Sequence, residues 1–141
     1  MTEEAVSLLM DTKTRAELRR QSPWETKGAY EWVRKIRNQS PFENVSEESL
    51  MAITPVIAEI RSDSKTSFGV ALKAVSEQRV RRLLAAEFGE DLQGQVVKMI
   101  RLLRREVSVH DVAATMVFWG NSRKRRIAKD YFQISEDAQG E

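Results

Sequence analysis

Arg79, Arg82, Lys98, Arg101, Arg104 and Arg105 share one property: none has an aspartate or glutamate three or four positions away. On a helix those spacings are the ones that bring side chains together, and like charges there cost a few tenths of a kcal/mol per pair. Arg81 differs, because Glu77 precedes it by four residues in the favourable order. A second group, Arg123-Lys124-Arg125-Arg126, directly follows Gly120-Asn121-Ser122, where the sequence reads as a helix start. Helix N-termini are already positive, so cations there oppose the backbone field. An anion reconciles the two facts, since dipole, N–H donors and full charges then all favour it. The chemistry these residues can do is phosphate attraction. The alternative is that they pair with acids elsewhere in the fold.

Catalytic chemistry finds little support. His110 is the single histidine and sits beside Asp111 in a helix start, where a surface role fits better than catalysis. Metalloprotease, P-loop and nucleophile-elbow signatures are missing, as is any carboxylate cluster with metal spacing. Cysteine is absent, which removes disulfides and thiolate metal sites and fits a reducing cytoplasm. Glu90-Asp91 read as first-turn acids that complement a helix dipole. The expectation is a protein with no catalytic residue, no metal and no cofactor.

The elements that must position the cations are helices, because strand-type alternation is missing and helix formers dominate. A helix spans about 12–21. Ser22 caps the next, with Pro23 at its first position and Glu25 completing a capping box; it runs to about Asn38. In this half Glu17 can meet Arg20, and Glu31 can meet Lys27, Arg34 or Lys35. Ser46 starts a core helix containing Leu50, Ile53, Val56, Ile57 and Ile60, which Pro55 is expected to kink or split. Residues 62–66 read as a linker. A short helix over 67–75 contains Gly69, and another runs from Ser76 to the Phe88-Gly89 step. The longest is expected over 90–106, with Lys98, Arg101 and Arg105 on one side. Ser108 to Asp111 forms a capping box leading to Trp119. Asn121 or Ser122 caps the last helix, which reaches about Ile134 with Ile127, Tyr131 and Ile134 inward and Arg126 meeting Asp130. Met116, Phe118, Trp119 and Phe132 suit the core or an interface better than base stacking.

The fold class that follows is all-α, a compact bundle of about seven to eight helices in two lobes. The expected division is an N-terminal lobe over 1–65, a basic C-terminal lobe over 66–134 and an acidic, disordered tail over 135–141. Charge follows the same division. Residues 1–65 hold 10 Lys/Arg against 11 Asp/Glu, and residues 76–129 hold 12 against 6, although the net charge is only +2. A basic block beside a neutral one points to an anionic partner. No apolar run approaches the roughly 18 residues of a membrane span, and the acidic start MTEEAV is unlike a signal peptide. A cytoplasmic location without membrane association is therefore expected.

Several segments, in order, resemble one family. Ser67-Phe68-Gly69-Val70-Ala71-Leu72, Arg79-Val80-Arg81-Arg82-Leu83-Leu84, Ile100-Arg101-Leu102-Leu103, Phe118-Trp119-Gly120 with its basic residues and Asp130-Tyr131-Phe132 are similar to the small subunit of the type I-E CRISPR surveillance complex Cascade, the CasB family. The resemblance covers roughly residues 64–134. It implies a non-catalytic helical subunit for antiviral defence that assembles as a pair with backbone and large subunits. It also implies contact with crRNA and target DNA, including the displaced strand. By similarity, Lys65, Arg81, Arg82, Arg101, Arg123 and Lys124 fall where the family carries basic residues. Arg79, Lys98, Arg104, Arg105 and Arg125 come from the charge pattern alone. Two other readings are a helical adaptor that binds only proteins and a helix-turn-helix regulator using residues 121–132 for recognition.

Overall fold

The computed structural model describes residues 7–133; Ile134 and the expected tail lie outside them. The described chain forms eight α-helices: α1 (Thr12–Arg20), α2 (Lys27–Arg37), α3 (Glu47–Ile57), α4 (Phe68–Ala71), α5 (Glu77–Leu84), α6 (Glu90–Leu102), α7 (Val109–Val117) and α8 (Asn121–Phe132). Single 3-10 turns at Pro23–Glu25 and Leu72–Ala74 precede α2 and follow α4. The fold class is all-α, as the composition implies.

Short polar side chains set most helix starts. Asp11, Ser46, Ser67, Ser76 and Ser108 each accept a hydrogen bond from the backbone N–H three residues on. Each such cap stabilises its helix by about 1 kcal/mol. Three starts lack one: α2 begins after Thr26, α6 after Gly89 and α8 after Gly120. The expected Asn121 or Ser122 cap is thus corrected, since Asn121 is already the first helical residue.

Three further expectations change. Ser22 starts only a 3-10 turn, and α2 begins anew after Thr26, whose buried hydroxyl donates to the Ser22 carbonyl. Pro55 neither splits nor ends α3. Proline cannot donate to the carbonyl four residues back, and the Thr54 hydroxyl donates to that Met51 carbonyl instead, at 2.7 Å. The linker is partly structured: β1 (Ser62–Asp63) pairs in parallel with β2 (Glu106–Val107). Consequently the longest helix stops at Leu102 rather than at Glu106, and the chain reverses through Arg104 and Arg105, both with φ near +60°.

α3 is the central element, packed on α1, α2, α6 and α7. Leu50, Met51, Ile53, Val56 and Ile57 of α3 are buried in the same cluster as Leu92, Val96, Met99 and Ile100 of α6. The core is therefore continuous across residue 65. α4 and α8 approach most closely at Gly69, where an added Cβ would lie 2.7 Å from Asp130 Cβ and 2.8 Å from the Ile127 carbonyl oxygen. Only glycine allows that approach, and it brings the segment after Lys65 onto α8.

Candidate nucleic-acid interface

α8 shows how a helix start tolerates four cations. Arg123 lies against α7, where its guanidinium donates to Asp111 Oδ1 at 3.1 Å and only 13% of its side chain remains exposed. The other oxygen of Asp111 accepts from the Phe68 backbone N–H at 2.5 Å. One carboxylate thus caps α4 and neutralises Arg123. Lys124 places its ammonium 5.3 Å from the Trp119 ring centroid, a cation–π seat. Arg125 and Arg126 remain exposed without a partner among the described residues. Arg126 does not meet Asp130, which accepts from the Ser67 hydroxyl instead.

Arg101 of α6 and Arg105 of the reversal after it, neither with an acid three or four positions away, both reach Glu59 just after α3. Arg101 meets it at 3.2 Å while 57% exposed; Arg105 is closer and more enclosed. Burial alone would raise the Glu59 carboxyl, but the hydrogen bonds and charges of the two arginines outweigh it and hold the group below the ordinary glutamate range. The partnership also raises Arg101, through the hydrogen bond first and the charge second. Two cations around one anion leave a net positive charge. Arg81 is engaged as well, paired with Glu77 at 2.6 Å and set 5.8 Å from the Phe132 ring centroid.

Lys65, Arg79, Arg82, Lys98, Arg104 and Arg125 stay exposed, with no acid within ion-pair distance among the described residues. Arg125 lies on α8, and Lys65, Arg79 and Arg82 belong to segments joined to it. Lys65 precedes the Ser67–Asp130 contact. Arg79 and Arg82 are exposed on α5, whose buried residues are Val80 and Leu83. α5 and α8 run in opposite directions, tied at one end by Trp119 Nε1 donating to the Ala86 carbonyl and at the other by the Tyr131 hydroxyl donating to the Val75 carbonyl. Lys129, one turn after Arg125, is exposed as well. Lys98 lies in the last turns of α6, one turn before Arg101, and Arg104 in the reversal that follows it.

Met116, Trp119, Phe118 and His110 each have packing or hydrogen-bond partners within the fold. Met116 is buried, Trp119 is tied to α5, and Phe118 tilts against buried Phe42 at 5.8 Å between ring centroids. His110 Nε2 is 2.9 Å from the Ser40 carbonyl oxygen, and its ring meets Phe42 edge-on. Among the described residues there is no cluster of three or more His, Asp or Glu able to hold a metal, and no helix is long and apolar enough to cross a membrane.

Residues 14–132 match the family described as CRISPR-associated protein Cse2. The chain belongs to the Cse2 family. Cse2 is the small subunit of type I-E Cascade, a structural component of that assembly, so the resemblance drawn from the C-terminal half holds and extends through the N-terminal half. No curated protein and no solved structure matches this Cse2 chain. What the sequence reading of this Cse2 chain missed is Glu59 and Asp111, the acids that absorb three of its candidate arginines. Glu59 carried a signal, because a lone acid between Ala58 and Ile60, in an apolar helix end, needs a partner.

Proposed function

We propose that this Cascade subunit binds crRNA, target DNA and the displaced strand through their backbones, without reading sequence, and so stabilises the R-loop. The observation that carries this reading is the exposed set Lys65, Arg79, Arg82 and Arg125 on α8 and the segments joined to it, left without acids by a fold that pairs Arg81, Arg101, Arg105 and Arg123. Lys98 and Arg104 form a second, smaller contact point. In an RNA-guided complex base pairing reads the sequence, so an accessory subunit needs only backbone attraction and shape. Free cations supply this by releasing counterions, whereas a cation already held by a carboxylate contributes less. On this reading residues 66–134 face nucleic acid, a second copy lies alongside in the complex, and the subunit performs no chemistry.

The test uses the full chain and random-sequence single-stranded DNA. Arg82→Gln with Arg125→Gln should weaken binding about tenfold at 50 mM salt and lower the salt slope by about 1.4, at roughly 0.7 per contact on a single strand. Lys27→Gln, which removes a cation paired with Glu31 at 4.0 Å, serves as the control and should change little. Equal affinity for the double variant and the control would refute the assignment. Preference for one DNA sequence would instead favour a helix-turn-helix regulator.

A further inference from the structure

On the side where α3, α6 and the end of α7 meet, the surface opens into a pocket of about 300 Å³. Its walls are Ala52 and Ile53 of α3, Leu92 of α6, and Met116 and Val117 of α7. At its mouth stands Phe88, 69% exposed, the most solvent-exposed large apolar side chain among the described residues. Gly89 follows with φ 111°, and nothing lies within 4 Å of where its Cβ would be, so the mouth is open on that side. An apolar hollow with a bare phenylalanine at its edge is the pattern of an interaction site on a soluble protein.

The rim decides what fits. Glu48 lines the pocket, and Glu87 and Glu90 flank Phe88-Gly89. All three are exposed and none forms an ion pair among the described residues. No lysine or arginine lines the pocket. A phosphate backbone is repelled by such a rim, whereas a protein segment carrying Lys or Arg beside an apolar side chain is attracted by the acids and desolvated by the hollow. The volume is at the small end for binding pockets, which suits one large apolar side chain rather than a buried helix.

We propose that this pocket is the socket by which the chain docks on another protein subunit of Cascade, taking a large apolar side chain flanked by basic residues. The proposal rests on family membership and is independent of the nucleic-acid reading. A few well-packed anchors of this kind carry most of the energy of an interface, and an acidic rim adds a salt-dependent association rate. The chain thus presents opposite charges to its two kinds of partner.

The experiment reconstitutes the labelled full chain with the remaining purified Cascade subunits and guide RNA, without target DNA, and measures incorporation by titration. Ala52→Trp fills the pocket from an exposed helix position, and Phe88→Ala removes the edge. Each should raise the apparent Kd about tenfold or more. Glu48→Gln with Glu90→Gln should weaken incorporation at 50 mM salt, with the loss shrinking at 500 mM. DNA affinity of the isolated variants should match the parent chain, and circular dichroism should show unchanged helicity. Unaltered incorporation of all three variants overturns the proposal. So does a loss of self-association alone, which makes a second copy the occupant, or a loss of DNA affinity alone, which makes the pocket part of the nucleic-acid surface.

Discussion

Arg104→Gly is expected to make the protein more stable and to weaken its hold on DNA. Arg104 and Arg105 both have φ near +60°, in the left-handed region that costs an L-residue about 1–2 kcal/mol. Glycine removes that cost but loses more backbone freedom on folding, about 0.5–1 kcal/mol. The net expectation is a gain of about 0.5–1 kcal/mol, or roughly 2–4 °C in midpoint for a chain of this size. The exposed Arg104 side chain offers no contact to lose. Arg105→Gly receives the same backbone relief but loses the ion pair to Glu59 and the contact to the Glu59 carbonyl. Charge-assisted bonds of that kind contribute about 1.5–3 kcal/mol each, so this variant should be destabilised. Thermal unfolding followed by circular dichroism separates the two. DNA titration of Arg104→Gly then asks whether the strained position serves binding. A midpoint that falls for Arg104→Gly, or equal midpoints for both variants, would refute the division between a strapping arginine and a free one.

Acid titration should also report on Glu59. Its folded pKa lies below the ordinary 4.5, so its contribution is complete above that value and is lost as pH falls through the folded one. Midpoints measured between pH 6 and 3 should therefore fall more steeply for the parent than for Glu59→Gln; parallel curves would contradict this. Gly69→Ala should destabilise by about 1–3 kcal/mol, because its Cβ meets the Ile127 carbonyl at 2.8 Å and backbone cannot step aside as a side chain can. Urea unfolding checks that, and a midpoint equal to the parent's would show that α4 and α8 can part cheaply.

Helix existence was readable because its causes are local. Serine caps at Ser46, Ser67, Ser76 and Ser108 and the apolar stripe from Leu50 to Ile60 are present within a few residues of where they act. Pro55 misled because the compensating donor is the side chain of its neighbour Thr54, which propensity does not register. The end of α6 misled because the reversal at Arg104 is held by residues far along the chain. The charge test failed for the same reason. It counts acids on the same helix, so it found Glu77 for Arg81 but was blind to Glu59 and Asp111, which tertiary packing delivers. It also overcounted in the other direction: of the N-terminal pairs it allowed, Lys27–Glu31 forms, while Arg20 does not join Glu17 and Arg34 and Lys35 do not join Glu31.

The small parallel ladder has a kinetic meaning. The Arg61 and Ser62 N–H groups both donate to the Arg105 carbonyl, and Ser64 donates to Val107, so the two ends of the excursion through α4, α5 and α6 are joined by one clasp. Ring closure over so long a segment is entropically slow to achieve and, once made, is undone only when the excursion lifts away. Amide protons at 61, 62 and 64 should therefore exchange with solvent together, at the rate of that sub-global opening rather than of local fraying. Three amides in and beside β1 thus act as a clock for the release of the segment that carries Arg79, Arg82 and Lys98.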